Sequence, residues 1–189
     1  MTTLVFVHGW SVTDTSTYGS LPGALRDRAA QAGSMLRVLD IHLSEYVTFD
    51  DAVGMDDIVR AFDHALRGLA LPDGRFDCIT HSTGGPVVMA WLRAQREHPT
   101  LYAPIHLGHA VMLAPAHFGS ALARLGKGAV GRLKAWFDGV EPGQRILDWL
   151  ELGSPESLAQ NLDIVHGKDA AQSGSYLFSL IGDRPDRSL

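Results

Sequence analysis

Short uninterrupted apolar runs alternate along this chain with segments whose apolar residues recur every three to four positions. That alternation narrows the fold more than any other feature. Leu4-Val5-Phe6-Val7, Leu36–Leu43, Phe76–Thr80, His109–Leu113 and Tyr176–Ile181 read as strands. Leu4–Val7 in particular is continuous rather than alternating, as expected of a strand covered on both faces. Between the first two runs, Ser20 can cap a helix, Pro22 suits its first turn and Gly33 can end it. From about Met55 to Leu69, the residues Ile58, Val59, Phe62, Leu66 and Leu69 fall at helical spacing. Pro72-Asp73-Gly74 breaks that helix. A further helix runs from Thr83 to about Glu97 and stops before Pro99. The pattern predicts an α/β fold, a mostly parallel sheet with helices on both faces. Its length suits one domain over 1–189. The stretch from Phe118 to Val165 departs from the pattern, being helical with several glycines and prolines, and reads as an insertion over 119–165.

Composition mainly excludes. An apolar fraction of 46% with 20% charged residues is that of an ordinary soluble domain. No apolar run reaches the roughly 18–20 residues that span a bilayer, and Met1-Thr2-Thr3 leads into Leu4 without a basic flank. A cytoplasmic protein with no stable membrane insertion is therefore expected. The single cysteine, Cys78, rules out an internal disulfide framework. A net charge of −5, with no basic cluster interleaved with aromatics, argues against a nucleic-acid partner. There is no phosphate-binding loop, no His-Glu-x-x-His and no cysteine cluster, so neither metal nor cofactor is expected.

The most informative stretch is Phe76-Asp77-Cys78-Ile79-Thr80-His81-Ser82-Thr83-Gly84-Gly85-Pro86. A buried strand runs into small residues around one serine and then into a helix. A nucleophilic hydroxyl must project clear of the sheet. A sharp strand-to-helix turn provides this, but only where the flanking residues are small. Gly84 meets that need two positions after Ser82, and Gly85 lets the helix pack closely. Two positions before Ser82, where Gly-x-Ser-x-Gly has glycine, this chain has Thr80. The plainer alternative makes Ser82 a helix N-cap followed by a flexible Gly-Gly.

Thr80-His81-Ser82-Thr83-Gly84-Gly85 resembles the nucleophile elbow of the α/β-hydrolase superfamily, especially its bacterial serine esterases and lipases. Val7-His8-Gly9-Trp10 resembles the oxyanion loop of the same superfamily. Acyl transfer places negative charge on a carbonyl oxygen, and preorganised backbone N–H groups stabilise it. Carried over by position, the resemblance makes Trp10 and Thr83 the donors. The alternative for the first turn is an ordinary loop with His8 as a structural hydrogen-bonder.

The resemblance also implies an acid and a histidine base, in the chain order Ser, Asp or Glu, His. The acid would follow Tyr176–Ile181, in Gly182-Asp183-Arg184-Pro185-Asp186, with Asp183 the first choice and Asp186 the second. The family's histidine follows one further strand, and none of the nine histidines here occupies that position. His81 is held beside Ser82 and expected to point away from it. His117 lies at the appropriate edge of the sheet, and His166 comes shortly before the last strand. The preferred explanation is that these 189 residues are part of a longer functional chain, which supplies the last strand and the base. Tyr176–Ile181 would then lack an outer neighbour, an invitation to self-association through the sheet edge.

The insertion over 119–165 occupies the superfamily's usual lid position. Leu122, Leu125, Val130, Leu133, Trp136 and Phe137 could form one apolar face, and Ile146, Leu147, Trp149 and Leu150 another. These residues either roof the site or simply pack against the sheet. The resemblance thus implies a cofactor-free serine hydrolase cleaving small-molecule or lipid-like carboxylic esters through an acyl-serine. A thioesterase or acyltransferase using the same serine is the alternative enzyme. A hydrolase-like binding domain is the alternative if the base is truly absent.

Overall fold

In the computed structural model, residues 1–9, 18–43, 52–120, 123, 144–166 and 174–182 are described. The chain threads β1 (Thr2–His8), α1 (Leu21–Gln31), β2 (Leu36–His42), α2 (Met55–Gly68), β3 (Arg75–His81), α3 (Gly84–Glu97) and β4 (His106–Leu113). There follow α4 (Gln144–Leu150), α5 (Pro155–His166) and β5 (Tyr176–Leu180). The five strands form one sheet in the order β2-β1-β3-β4-β5, and every neighbouring pair is parallel. The parallel sheet with helices is the architecture that the alternating pattern predicts. β4 starts three residues before the predicted His109, at His106. Gly108 breaks the apolar run there, and its Cα lies against the Arg75 guanidinium and the Asp77 carboxylate, leaving no room for a Cβ.

The two faces of the sheet are covered unequally. On one face Val5, Val7, Phe76, Cys78, Ala110 and Met112 meet the apolar sides of α2 and α3. α2 is strongly amphipathic: Ile58, Val59, Phe62, Ala65 and Leu66 are buried, while Arg60, His64 and Arg67 are exposed. The Asp57 carboxylate accepts the Gly54 N–H at 2.9 Å, satisfying a donor at the helix start. In α3, Trp91 is fully buried with its ring edge-on to Phe62 and Phe76, at 5.7 and 5.9 Å between centroids. Burial also holds the Cys78 thiol well above its ordinary pKa, so it stays protonated. Ile146, Trp149 and Leu150 join this core, so these three apolar positions pack against the body of the protein. Leu122, Leu125, Val130, Leu133, Trp136 and Phe137 lie outside the described residues.

On the other face, α1 covers Leu4, Phe6 and Ile79 through Leu21, Leu25 and the buried ring of Tyr18. Farther out this cover ends. Tyr176, Phe178 and Leu180 are exposed, and so is Ile181 just beyond the strand. Within the described sheet, β5 has a neighbour on one side only.

A buried carboxylate ties the helical layer to the connection that leads into β4. Asp63 Oδ1 accepts from Trp91 Nε1 at 2.9 Å and from the Ala103 N–H at 2.8 Å. Its Oδ2 accepts from Arg67 Nε at 2.7 Å. Gln95 Nε2 donates to the carbonyls of Ala103 and Ile105, extending the tie to the residue before β4. Removing one partner of a buried, hydrogen-bonded ion leaves the others unsatisfied. Asp63→Ala is expected to cost about 3 kcal/mol in urea unfolding, and Asp63→Asn, which keeps an acceptor, less. A loss below about 1 kcal/mol for the alanine variant would show that the network is not holding this layer.

Candidate active site

All five strands point the same way, so their C-terminal ends share one edge of the sheet. β1 connects outward to β2 on one side, and the later strands build outward from β3 on the other. The point between β1 and β3 is therefore the topological switch, where open α/β sheets leave a crevice beyond the strand ends. Gly9 follows β1 there and Ser82 follows β3.

Ser82 has φ of 53°, in the left-handed region that a residue with a Cβ rarely enters. Three backbone hydrogen bonds hold it. Its N–H donates to the Leu113 carbonyl at 3.1 Å, and its own carbonyl accepts from Gly85 at 3.3 Å and Ala116 at 3.1 Å. The helix that follows is capped by Thr83, whose φ of −64° and ψ of −20° are already helical. Ser82 is thus not the N-cap. The neighbouring residues must be small for measurable reasons. A Cβ on Gly84 would lie 2.9 Å from the Val7 carbonyl oxygen, and one on Gly85 would lie 2.8 Å from Pro115 Cβ. Thr80 occupies the position where the motif has glycine. It is fully buried, and its Oγ1 finds no hydrogen-bond partner among the described residues.

The two turns predicted from sequence meet in space. A Cβ placed on Gly9 would be 3.2 Å from Thr83 Oγ1, 3.6 Å from the His81 carbonyl and 3.8 Å from Ser82 Cβ. The turn after β1 therefore lies directly against the serine turn. Trp10, Asp183 and Asp186 lie outside the described residues. A second left-handed residue, Ala114 with φ of 42°, ends β4, and its N–H donates to the Leu180 carbonyl at 2.8 Å. The chain then passes Ser82 at Ala116 and reaches His117. The His117 carbonyl accepts from Asn161 Nδ2, which brings α5 over this end of β4. Sequence reasoning did not foresee the Asn161 contact or the left-handed backbone of Ala114. An asparagine within a helix and an alanine before a proline carry no signal of such contacts.

All nine histidines fall among the described residues. None hydrogen-bonds Ser82. His81 turns away from the serine, to the α1 face, where its ring stands edge-on to Tyr18 at 6.5 Å. His8 is fully buried and bound to Asp40. His117 is half-buried, with no partner for Nδ1 among the described residues. His166 is exposed at the end of α5. Burial lowers the pKa of both His81 and His117 below the ordinary histidine range.

A concavity of about 1130 Å³ lies elsewhere, between α2, α3, α4 and α5, and Ser82 does not line it. Its charged walls are paired with one another, Arg60 with Asp57, Arg67 with Asp63, and Arg93 with both Glu97 and Asp163. The chemistry-bearing turns are at the sheet edge, not in this trough. Among the described residues no cluster of histidine, cysteine and carboxylate is placed to hold a metal ion. No helix of the described residues is long and apolar enough to cross a membrane.

No family model matches the chain, and no curated protein does. Solved structures do. The chain is 44% identical to phospholipase PlaB from Legionella pneumophila, over 99% of this chain and 40% of that one, with a TM-score of 0.80. Against the same phospholipase in complex with thio-NAD it is 42% identical over 100% of this chain and 39% of that one, with a TM-score of 0.77. The mature Bacillus licheniformis lipase BlEst2 shares the fold at 19% identity over 98% of this chain and 67% of that one, with a TM-score of 0.61. The chain thus spans about two fifths of the length of the phospholipase it matches.

The half-buried His81 and His117 give stability a pH dependence. Their folded pKa lies below the unfolded value of 6.5, so the unfolded chain binds more protons as pH falls through that value. Stability should be fully present above about pH 6.5 and decline towards pH 5. Melting temperature measured between pH 7 and pH 5 should fall accordingly, and the fall should be shallower in His81→Gln/His117→Gln. An equal slope in both proteins would assign the titration to other groups.

Proposed function

This chain belongs to the α/β-hydrolase superfamily, and from that premise we propose that it cleaves carboxylic esters with Ser82 as the nucleophile. The observation that carries the reading is the left-handed Ser82 at the switch point, packed against the turn after β1. A hydroxyl at such a turn stands clear of the sheet, beside backbone N–H groups at a helix start.

In this reading Ser82 Oγ attacks the ester carbonyl and its proton passes to a base. The N–H groups of Trp10 and Thr83 receive the oxyanion. The alkoxide leaves with that proton, giving an acyl-serine and an alcohol. Water then attacks the acyl group, returns a proton to Ser82 Oγ and releases the acid. Asp183 is the proposed acid of the site, with Asp186 second. The base is proposed to be a histidine in sequence outside these 189 residues. Support comes from the nine histidines, none of which bonds the serine, and from the small share of the phospholipase that the chain spans. Residues 119–165 are read as a lid-like insertion, of which Ile146, Trp149 and Leu150 pack in the core and not over the serine. Asn161 at the His117 carbonyl and Gln160 at the Pro86 carbonyl, 2.8 Å, anchor α5 beside the serine turn. PlaB is a phospholipase, which favours a lipid-like ester as substrate here.

The missing base also favours a second reading, a hydrolase-like domain that binds without turning over. A fluorophosphonate probe separates the two, because labelling requires an activated serine. In the full natural chain, Ser82→Ala should abolish labelling and lower kcat for p-nitrophenyl esters by on the order of 10⁶. A variant keeping more than about a tenth of the wild-type rate would remove Ser82 from the mechanism. The 189 residues alone should be nearly inactive and unlabelled, and restoring the native downstream sequence should restore both. Full activity of the 189 residues would overturn the external base.

A further inference from the structure

The last two residues of β1 are held from the α1 face by the side chains of Tyr18 and Asp40. His8 is completely buried, and its Nε2 lies 3.1 Å from Asp40 Oδ1. Its ring stacks on His42, with centroids 4.2 Å apart and planes at 24°. The Tyr18 ring meets it edge-on at 4.8 Å. Tyr18 also reaches the backbone, its hydroxyl donating to the Val7 carbonyl at 2.8 Å, with the Ile79 carbonyl at 3.4 Å. Burial, with the charge of Asp40 nearby, raises the Tyr18 pKa, so the phenol remains a donor at any physiological pH.

This clamp sits where the sheet stops fixing the backbone. His8 is the last residue of β1 in the ladder with β2, opposite His42. Gly9, the next residue, lies against Ser82 and Thr83. The position of Gly9 therefore depends on how firmly His8 is oriented, and Asp40 is a side chain that hydrogen-bonds the His8 ring. We propose that Asp40 is a positioning residue for ester cleavage: acting through His8, it sets the turn that presents a backbone donor to the oxyanion. Tyr18 performs the same task one residue earlier, at the Val7 carbonyl. The proposal rests on Ser82 being the nucleophile and extends that reading to a carboxylate on the neighbouring strand.

A displacement of about 1 Å in a reacting group is enough to cost on the order of 10²-fold in rate. Asp40→Ala in the full natural chain should lower kcat for a p-nitrophenyl ester by roughly 10- to 100-fold, with KM changed by less than about twofold. Asp40→Asn should recover most of that loss, because its carbonyl oxygen still accepts the His8 N–H. Tyr18→Phe, which keeps the ring and loses the bond to Val7, should lower kcat in the same direction. All rates are taken at least about 15 °C below each variant's Tm, so that loss of folded protein does not enter. Fluorophosphonate inactivation, which also develops charge on oxygen, should slow in parallel. Wild-type kcat in folded Asp40→Ala would overturn the proposal, as would a loss that appears in KM alone. If Asp40→Ala does not fold, wild-type kcat in Tyr18→Phe would overturn it. An active Ser82→Ala control would instead overturn the underlying reading, a result separable from all of these.

Discussion

Ser82 carries a Cβ in a backbone region where that atom crowds the following carbonyl, at a cost on the order of 1–2 kcal/mol. Such a residue persists only where its surroundings leave no alternative. Here β4 supplies an acceptor for its N–H, and the chain after β4 supplies a donor for its carbonyl. The helix begins two residues later with two glycines, each pressed against backbone or proline where a methyl group would clash. Relaxing Ser82 to an ordinary φ would break these bonds and push α3 off β1. The strain is therefore held by the sheet itself, through its strand order, the close approach of α3 and the turn after β1.

The parts of this arrangement that were legible in sequence are those set by short-range rules. Strand periodicity, the Pro72-Asp73-Gly74 break and the Pro99 stop lie in residues a few positions apart, and each matched the structure within a few residues. Gly84 and Gly85 signalled a close approach that steric contact explains. The parts that were not legible depend on partners far away in sequence. Nothing in a lone Asp63 announces that it will be buried under Trp91 and Ala103. Nothing around Ala114 announces a left-handed residue, since alanine ordinarily avoids that region and only the cross-strand bond to Leu180 holds it there. His8 was read as an oxyanion-turn residue or a structural hydrogen-bonder; the partner that orients it, Asp40, comes from the next strand over and has no sequence signature.

The same distinction explains the histidines. A sequence shows nine candidate bases, but a base must reach one oxygen atom, and topology decides which side chains can. In β3 the alternation of a strand sends Thr80 to the α3 face and His81 to the α1 face. That geometry removes His81 from the serine regardless of its nearness in the chain. His8 is removed by its bond to Asp40, and His64 and His98 by their place on the outer helices. His117 follows Ala116, whose N–H bonds the Ser82 carbonyl, yet the His117 main chain is tied to α5 and its ring makes no bond to Ser82.

On the proposed reading, the exposed flank of β5 and the absence of a histidine bonded to Ser82 among the described residues are one physical problem. Parallel sheets are normally covered on both faces, yet Tyr176 and Phe178 stand more than half exposed, at 62% and 51%, with Leu180 beside them at 58%. In register they sit beside His109, Val111 and Leu113 on the α1 face, where α1 does not reach. No lysine, proline or bulge within β5 blunts its outer edge, the usual protections of a strand that ends a sheet. A further parallel strand beside β5 would satisfy that edge. Because parallel neighbours run the same way, its C-terminal end would emerge on the edge that carries Ser82, Gly9 and Ala114. Right-handed crossovers keep successive outward connections on the α2 and α3 face. A segment following such a strand could then turn back over the α1 side and cover Phe178 and Leu180. Sequence that completes the sheet in this way would also carry its strand-end residues to the place where a base for Ser82 must stand.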